Sequence, residues 1–133
     1  MKPIAQAHAF PSIAQLLLAV FAFAALQYPL AAKADEISDG KAAFSTCAGC
    51  HTVTDSNRLG PHLNGIIGRK AGSVPGFNYS RAMKDSNIVW DTTTLEQYLK
   101  DPQKTVPGNR MPFAGLQDEK KRDAIAAYLA SLK

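Results

Sequence analysis

The segment Cys47-Ala48-Gly49-Cys50-His51 constrains this chain more than any other part of it. Two thiols three positions apart, with a histidine directly after the second, form the attachment sequence of a covalently bound haem. Within one helical turn both sulfurs can form thioethers to the two vinyl edges of a porphyrin. The next residue then sets an imidazole nitrogen, a good iron ligand, beneath the metal. Other uses of Cys-x-x-Cys need partners that are missing. Zinc requires two more thiolates or imidazoles, yet there are only these two cysteines, and His8 and His62 are poorly spaced for the task. A thioredoxin-like pair belongs to a βαβ unit, and no strand pattern precedes Cys47. A disulfide across two intervening residues closes too small a loop to restrain much unfolded chain.

The N-terminus reads as a targeting segment. No charged residue occurs between Pro3 and Ala32, and Ile13 to Leu26 is apolar except for Gln15. Lys2 supplies a thin positive start, and Ala32-Lys33-Ala34 offers small residues to a signal peptidase. Residues 1–34 are therefore expected to be a secretory signal, with residues 35–133 as the single functional domain. The competing reading is an uncleaved anchor, although the apolar run is shorter than the roughly 20 residues a span needs.

The formal charge of +4 includes Lys2 and Lys33, whereas all eleven acidic residues lie beyond position 34. Residues 35–133 thus carry only +2, too little for the strong basic stripe of a nucleic-acid binder. A domain this small, with eight prolines and nine glycines in the whole chain, must be rich in irregular loops. A buried porphyrin supplies the apolar bulk that such a domain lacks.

The helical signals are few and short. Ile37, Gly40, Ala43, Phe44 and Cys47 share one face of a helix expected over about Glu36–Cys50. Gly40 costs such a helix about 1 kcal/mol relative to Ala, which points to a close crossing with another helix. The expected partner is Asp118–Leu132, where Ile125, Tyr128, Leu129 and Leu132 recur at helical spacing and Asp118 can cap the N-terminus. A short helix is expected near Ser80–Ser86. Another is expected from about Thr94 to Asp101, capped by Thr93-x-x-Glu96 and stopped by Pro102. From Pro102 to Leu116 the chain reads as loop, as does the Gly/Pro-punctuated stretch between Gly60 and Gly76. The fold class is all-α.

His51 leaves one axial position on the iron, and its occupant decides the function. Met83, Met111 and His62 are the candidates. Met111 lies in a loop stiffened by Pro107 and Pro112, sixty residues from His51, far enough for the chain to pass round the porphyrin edge. Met83 sits in an expected helix, where methionine is commonly core filler. His62 follows His51 too closely to cross over easily and is expected to face solvent. Met111 is therefore the expected ligand. A soft thioether favours ferrous iron and raises the potential, and two protein ligands leave the metal only electrons to exchange. This describes an electron-transfer protein and no enzyme. The alternative is a ligand-binding or sensor haem protein in which Met111 is displaced. A dihaem peroxidase would carry two attachment motifs, and one is present.

Along residues 36–133 the chain resembles the class I cytochromes c, in particular short mitochondrial-like and alphaproteobacterial soluble forms. The resemblance rests on Cys47–His51, Gly60-Pro61-His62-Leu63-Asn64-Gly65, Gly68–Gly72, Pro75–Tyr79, Ile88-Val89-Trp90, Tyr98-Leu99 and Pro107–Gly115, all in register. It implies that Cys47 and Cys50 carry haem c, that His51 and Met111 ligate the iron, and that the Pro61 carbonyl accepts the other imidazole N–H. Arg69, Tyr79 and Trp90 would then hydrogen-bond a haem propionate, and Tyr98 would lie beside the Met111 sulfur. Read without the resemblance, the three aromatics pass for plain core and Arg69 for a solvated charge. The resemblance further implies a periplasmic, monomeric shuttle, anchored to the membrane only if residues 1–34 are retained. Its donor would be a quinol-oxidising complex, and its partner an oxidase, reductase, dehydrogenase or photosynthetic centre. Arg58, Lys70, Lys104 and Arg110, with Lys41 as a fifth candidate, would form a modestly basic docking face. The chain departs from mitochondrial forms at Met83, where an asparagine is usual, at Asn109, where a threonine is common, and at Gln103-Lys104, where paired lysines are usual.

Overall fold

The computed structural model describes residues 28–133, with side chains from Lys33 onward. The expected signal segment therefore lies outside the described residues except for its last positions. From Ala34 to Lys133 the chain forms one compact unit. Its helices are α1 (Tyr28–Ala43), α2 (Arg81–Asp85), α3 (Thr92–Lys100), α4 (Pro102–Thr105) and α5 (Glu119–Ser131), with a 3-10 turn at Phe44–Thr46 after α1. Among the described residues the only β feature is an isolated antiparallel bridge between Lys70 and Val89.

The first helix begins earlier than expected, running through the anticipated first mature residue Asp35, and it ends at Ala43 instead of Cys50. The reason for the early end is local. The Thr46 hydroxyl donates to the Ala43 carbonyl (3.0 Å), which an α-helix would reserve for the Cys47 N–H. That N–H turns to the Phe44 carbonyl instead (2.8 Å), tightening the chain into a 3-10 turn. The expected apolar face holds nonetheless. Gly40 and Phe44 are buried, and Ile37, Ala43 and Cys47 are half-buried.

Gly40 meets α5. A methyl group placed on it would approach the Ala124 carbonyl carbon to 2.6 Å and Tyr128 Cβ to 2.7 Å. Phe44 packs against Tyr128 with ring centroids 5.6 Å apart. Along α5 the buried positions include Ala124, Ile125, Ala126, Tyr128 and Leu129, and Asp118 caps the helix by accepting from the Lys121 N–H. The crossing of N- and C-terminal helices inferred from Gly40 is therefore present, with bare backbone as its contact.

Two local expectations are corrected. The cap of α3 is Asp91, not Thr93: Asp91 Oδ1 accepts from the Thr94 N–H (2.7 Å), and Thr94 Oγ1 accepts from the Asp91 N–H (2.9 Å). The short carboxylate satisfies the free N–H one turn ahead, so the helix starts two residues early. Pro102 ends α3 but also starts α4, because at the first helical position its missing N–H costs nothing. Asp101 serves both helices. Its N–H donates to the Gln97 carbonyl, closing α3, and its carboxylate accepts from the Lys104 N–H, opening α4. Helix α3 packs on both α4 and α5.

The Ser80–Ser86 expectation matches α2, whose cap Ser80 accepts from the Met83 N–H (3.1 Å). The loops are bound to one another by backbone bonds. Gly68 and Ala71 donate to the carbonyls of Trp90 and Ile88, and Leu116 donates to Leu99. At Gly115 a left-handed φ of +100° lets the chain pass against the end of α3, where a Cβ would meet the Lys100 carbonyl carbon at 3.0 Å.

Candidate functional site: a haem-sized cavity

The loops and helices enclose a cavity of about 650 Å³, within the range of about 300–1,000 Å³ for small-molecule and cofactor sites. Its walls include all nine residues expected to bind the cofactor: Cys47, Cys50, His51, Pro61, Arg69, Tyr79, Trp90, Tyr98 and Met111. Apolar side chains from α2, α3 and α5, with Phe44 of the 3-10 turn, complete it, among them Met83, Leu95 and Leu129.

The attachment segment follows the 3-10 turn as one further helical turn, with the N–H groups of Cys50 and His51 both donating to the Cys47 carbonyl (3.0 and 2.9 Å). No disulfide joins the two cysteines, of which Cys47 is half-buried and Cys50 exposed. Burial pushes the Cys47 thiol pKa up, against the lowering effect of the Thr46 hydroxyl beside it. Among the described residues no group of three or more His, Cys, Asp or Glu side chains could hold a metal, so the zinc reading of the cysteine pair has no geometry there.

His51 is held from behind. Its Nδ1–H donates to the Pro61 carbonyl at 2.7 Å, which assigns the proton to Nδ1 and leaves Nε2 with the free lone pair a metal needs. Burial pushes the imidazole pKa down and outweighs the Pro61 bond, which acts in the opposite direction. The ring is therefore kept neutral, the ligating form. Gly60 makes room for it. A methyl group there would clash with the ring, standing 2.6 Å from Nδ1. Sequence reasoning read Gly60 only as a turn residue and missed this contact, which no spacing rule reports.

Arg69 is half-buried, and its guanidinium donates to the carbonyls of His62 (2.9 Å) and Asn64. It is neither a free surface charge nor wholly committed to the cavity, since five N–H donors leave some for a ligand. Burial pushes the Tyr79 phenol pKa up, so it stays protonated as a donor, with the nearby Arg69 charge a smaller opposing influence. Tyr98, pushed up to about 12 by burial, packs edge-on against Trp90 with centroids 5.2 Å apart.

His62 departs from expectation. It is half-buried on the cavity wall, and its ring Nδ1–H donates to Asn57 Oδ1 (3.1 Å), as does its backbone N–H. Met83 is buried core and also lines the cavity. Of the four cations expected to dock partners, Lys70 and Arg110 line the cavity, whereas Arg58 and Lys104 do not. Arg58 donates to the Ala48 carbonyl and Arg110 to that of Asn78, both at 2.8 Å.

The comparisons with known proteins agree with one another. The cytochrome c family pattern matches residues 37–133. A cytochrome c2 of Rhodoplanes tepidamans is 44% identical over 97 residues, covering 71% of this chain and 91% of that protein. A cytochrome c2 of Rhodoblastus acidophilus is 47% identical over 96 residues, covering 71% and 90%. Among solved structures, cytochrome cH from Methylobacterium extorquens superposes with a TM-score of 0.68 at 44% identity, over 71% of this chain and 96% of that one.

Proposed function

Because this chain belongs to the class I cytochromes c and is an electron carrier, with haem c joined covalently through Cys47 and Cys50, we propose that His51 and Met111 are the two axial ligands of its iron. The observation that carries the proposal is the His51–Pro61 pair together with Met111 on the wall of the same cavity. When bound, the haem supplies one reversible one-electron couple. Everything else is the work of the chain. The Pro61 carbonyl holds the imidazole in one tautomer and one orientation, so little moves when the charge changes. The Met111 thioether, a soft ligand, favours the ferrous state. The apolar walls act in the same direction, since the oxidised centre carries one more positive charge into a low dielectric. Arg69, Tyr79 and Trp90 offer donors to the propionates, and Tyr98 flanks the Met111 sulfur.

Redox proteins are the partners. The finer assignment is a quinol-oxidising complex as donor and an oxidase, reductase, dehydrogenase or photosynthetic centre as the other partner. These would dock at a weakly basic face of Arg58, Lys70, Lys104 and Arg110, where electrostatic steering speeds encounter. The proposed location is the periplasm, with residues 1–34 acting as an export signal. No helix among the described residues is long and apolar enough to cross a membrane.

Absorption spectroscopy tests the ligation. A weak far-red sulfur-to-iron band in the oxidised protein, with slow carbon monoxide binding by the reduced form, is expected. Rapid carbon monoxide binding by the native reduced protein would instead favour a ligand-binding haem protein. Mass spectrometry of the protein isolated from its native host measures export cleavage and haem addition together.

A further inference from the structure

The loop bearing Met111 is held by one buried amide. Asn109 and Arg122 are the buried polar side chains among the described residues, and Asn109 uses every direction of its short side chain. Its Nδ2 donates to the Pro102 carbonyl (2.8 Å) and to the Val106 carbonyl (3.0 Å), each of which also accepts a backbone N–H, from Val106 and Asn109 respectively. Its Oδ1 accepts from the Met111 N–H at 2.9 Å. Gly108, at φ +85°, turns the chain so that the amide points inward. The Gln103 side chain holds the Asn109 carbonyl from outside (3.2 Å).

The donor and acceptor demands are specific. Two carbonyls on one side can only accept, and one N–H on the other can only donate, so the amide orientation is unambiguous. Aspartate would set lone pairs against both carbonyls. Leucine would leave the Met111 N–H unpaired and take the second donor from each carbonyl. Threonine has one hydroxyl proton for two carbonyls.

We infer that Asn109 is a positioning residue that bolts the Met111 backbone to α4 and thereby governs how readily the thioether leaves the iron. The inference rests on the reading of Met111 as axial ligand and adds to it a residue that touches neither metal nor sulfur. The amide links the Met111 N–H to the Pro102 carbonyl nine residues before it, so removing the link weakens the closed loop relative to an open one. Opening exposes the sixth position to an external ligand.

The test is a spectrophotometric titration of the oxidised holoprotein with imidazole, alongside the far-red band. Asn109→Leu is expected to bind imidazole about tenfold more tightly than wild type, the scale set by leaving a buried backbone group unpaired. Asn109→Thr should fall between the two and carries the test alone if the leucine variant does not fold. The control is Thr94→Ala, which loses the α3 capping box away from the loop. It should lower thermal stability and leave imidazole affinity unchanged. Equal imidazole affinity in Asn109→Thr and wild type overturns the inference, and so does an equal tightening in Thr94→Ala. A wild type without a far-red band, and indifferent to Met111→Ala, instead removes the ligation reading on which the inference stands.

Discussion

Gly60 lies flat against the imidazole of His51, so close that a single methyl group on it would stand 2.6 Å from Nδ1. The same ring nitrogen donates to the carbonyl of the next residue, Pro61, at 2.7 Å. Backbone therefore fixes the ligand ring from two directions, by contact and by hydrogen bond. Gly60→Ala should tilt the imidazole off that bond and cost about 1–3 kcal/mol of stability, the usual scale of overpacking. Denaturant unfolding of the holoprotein and its reduction potential would both report the change. A variant with wild-type midpoint and potential would mean that the contact has slack.

Met111→Ala removes the proposed thioether while keeping the loop backbone. The reduction potential should fall by on the order of 0.2 V, part of the roughly 0.8 V range that axial ligands span, and the far-red band should vanish. Redox titration decides it. An unchanged potential would return attention to Met83 and His62, which line the same cavity.

At Gly40 two effects compete. Alanine would gain about 1 kcal/mol in intrinsic helix preference. Its methyl group would also strike the Ala124 backbone and Tyr128 Cβ, neither the free end of a flexible side chain, so α1 and α5 must part. Overpacking against such a wall outweighs propensity, and Gly40→Ala should lose about 2 kcal/mol net. A higher melting temperature than wild type would show that the crossing can open without cost.

The buried phenol of Tyr98 makes stability fall at high pH. Its folded pKa is raised to about 12 by burial, against an unfolded value near 10. The folded state therefore holds a proton that the unfolded state has begun to release. Its contribution is fully present below pH 10 and is lost between about pH 10 and 12. Tyr98→Phe should flatten that part of the stability curve, measured by denaturant midpoints at stepped pH. Curves that remain parallel would assign the alkaline loss to another group.

Docking is best probed at lysines that hold nothing else in place. Arg110 and Arg58 are poor targets, because each also ties down a backbone carbonyl, and charge reversal there would disturb the loops as well. Lys70→Glu with Lys104→Glu should slow electron exchange with an acidic redox partner several-fold at low salt, with the difference shrinking as ionic strength rises. Rates insensitive to both lysines and salt would place the docking face elsewhere.

Arg69, Tyr79, Trp90 and Tyr98 were placed at the cavity only through the family resemblance, whereas the sequence by itself determined the cofactor, its two points of attachment, and the faces of α1 and α5. These are carried by near neighbours in the chain: a five-residue motif, helical spacing at Ile37 to Cys47, and punctuation by glycine and proline. Local signals failed where two groups competed for one partner, as at Thr46, which ends α1 early, and at Asp91, which takes the cap expected of Thr93. Only the tertiary structure decided what Gly60 presses against, that Arg69 is tied to His62 and Asn64, and that Asn109 is a buried three-way link. Such contacts depend on which backbone groups of one loop arrive unpaired beside another. That is a property of packed surfaces, and no spacing along the chain records it.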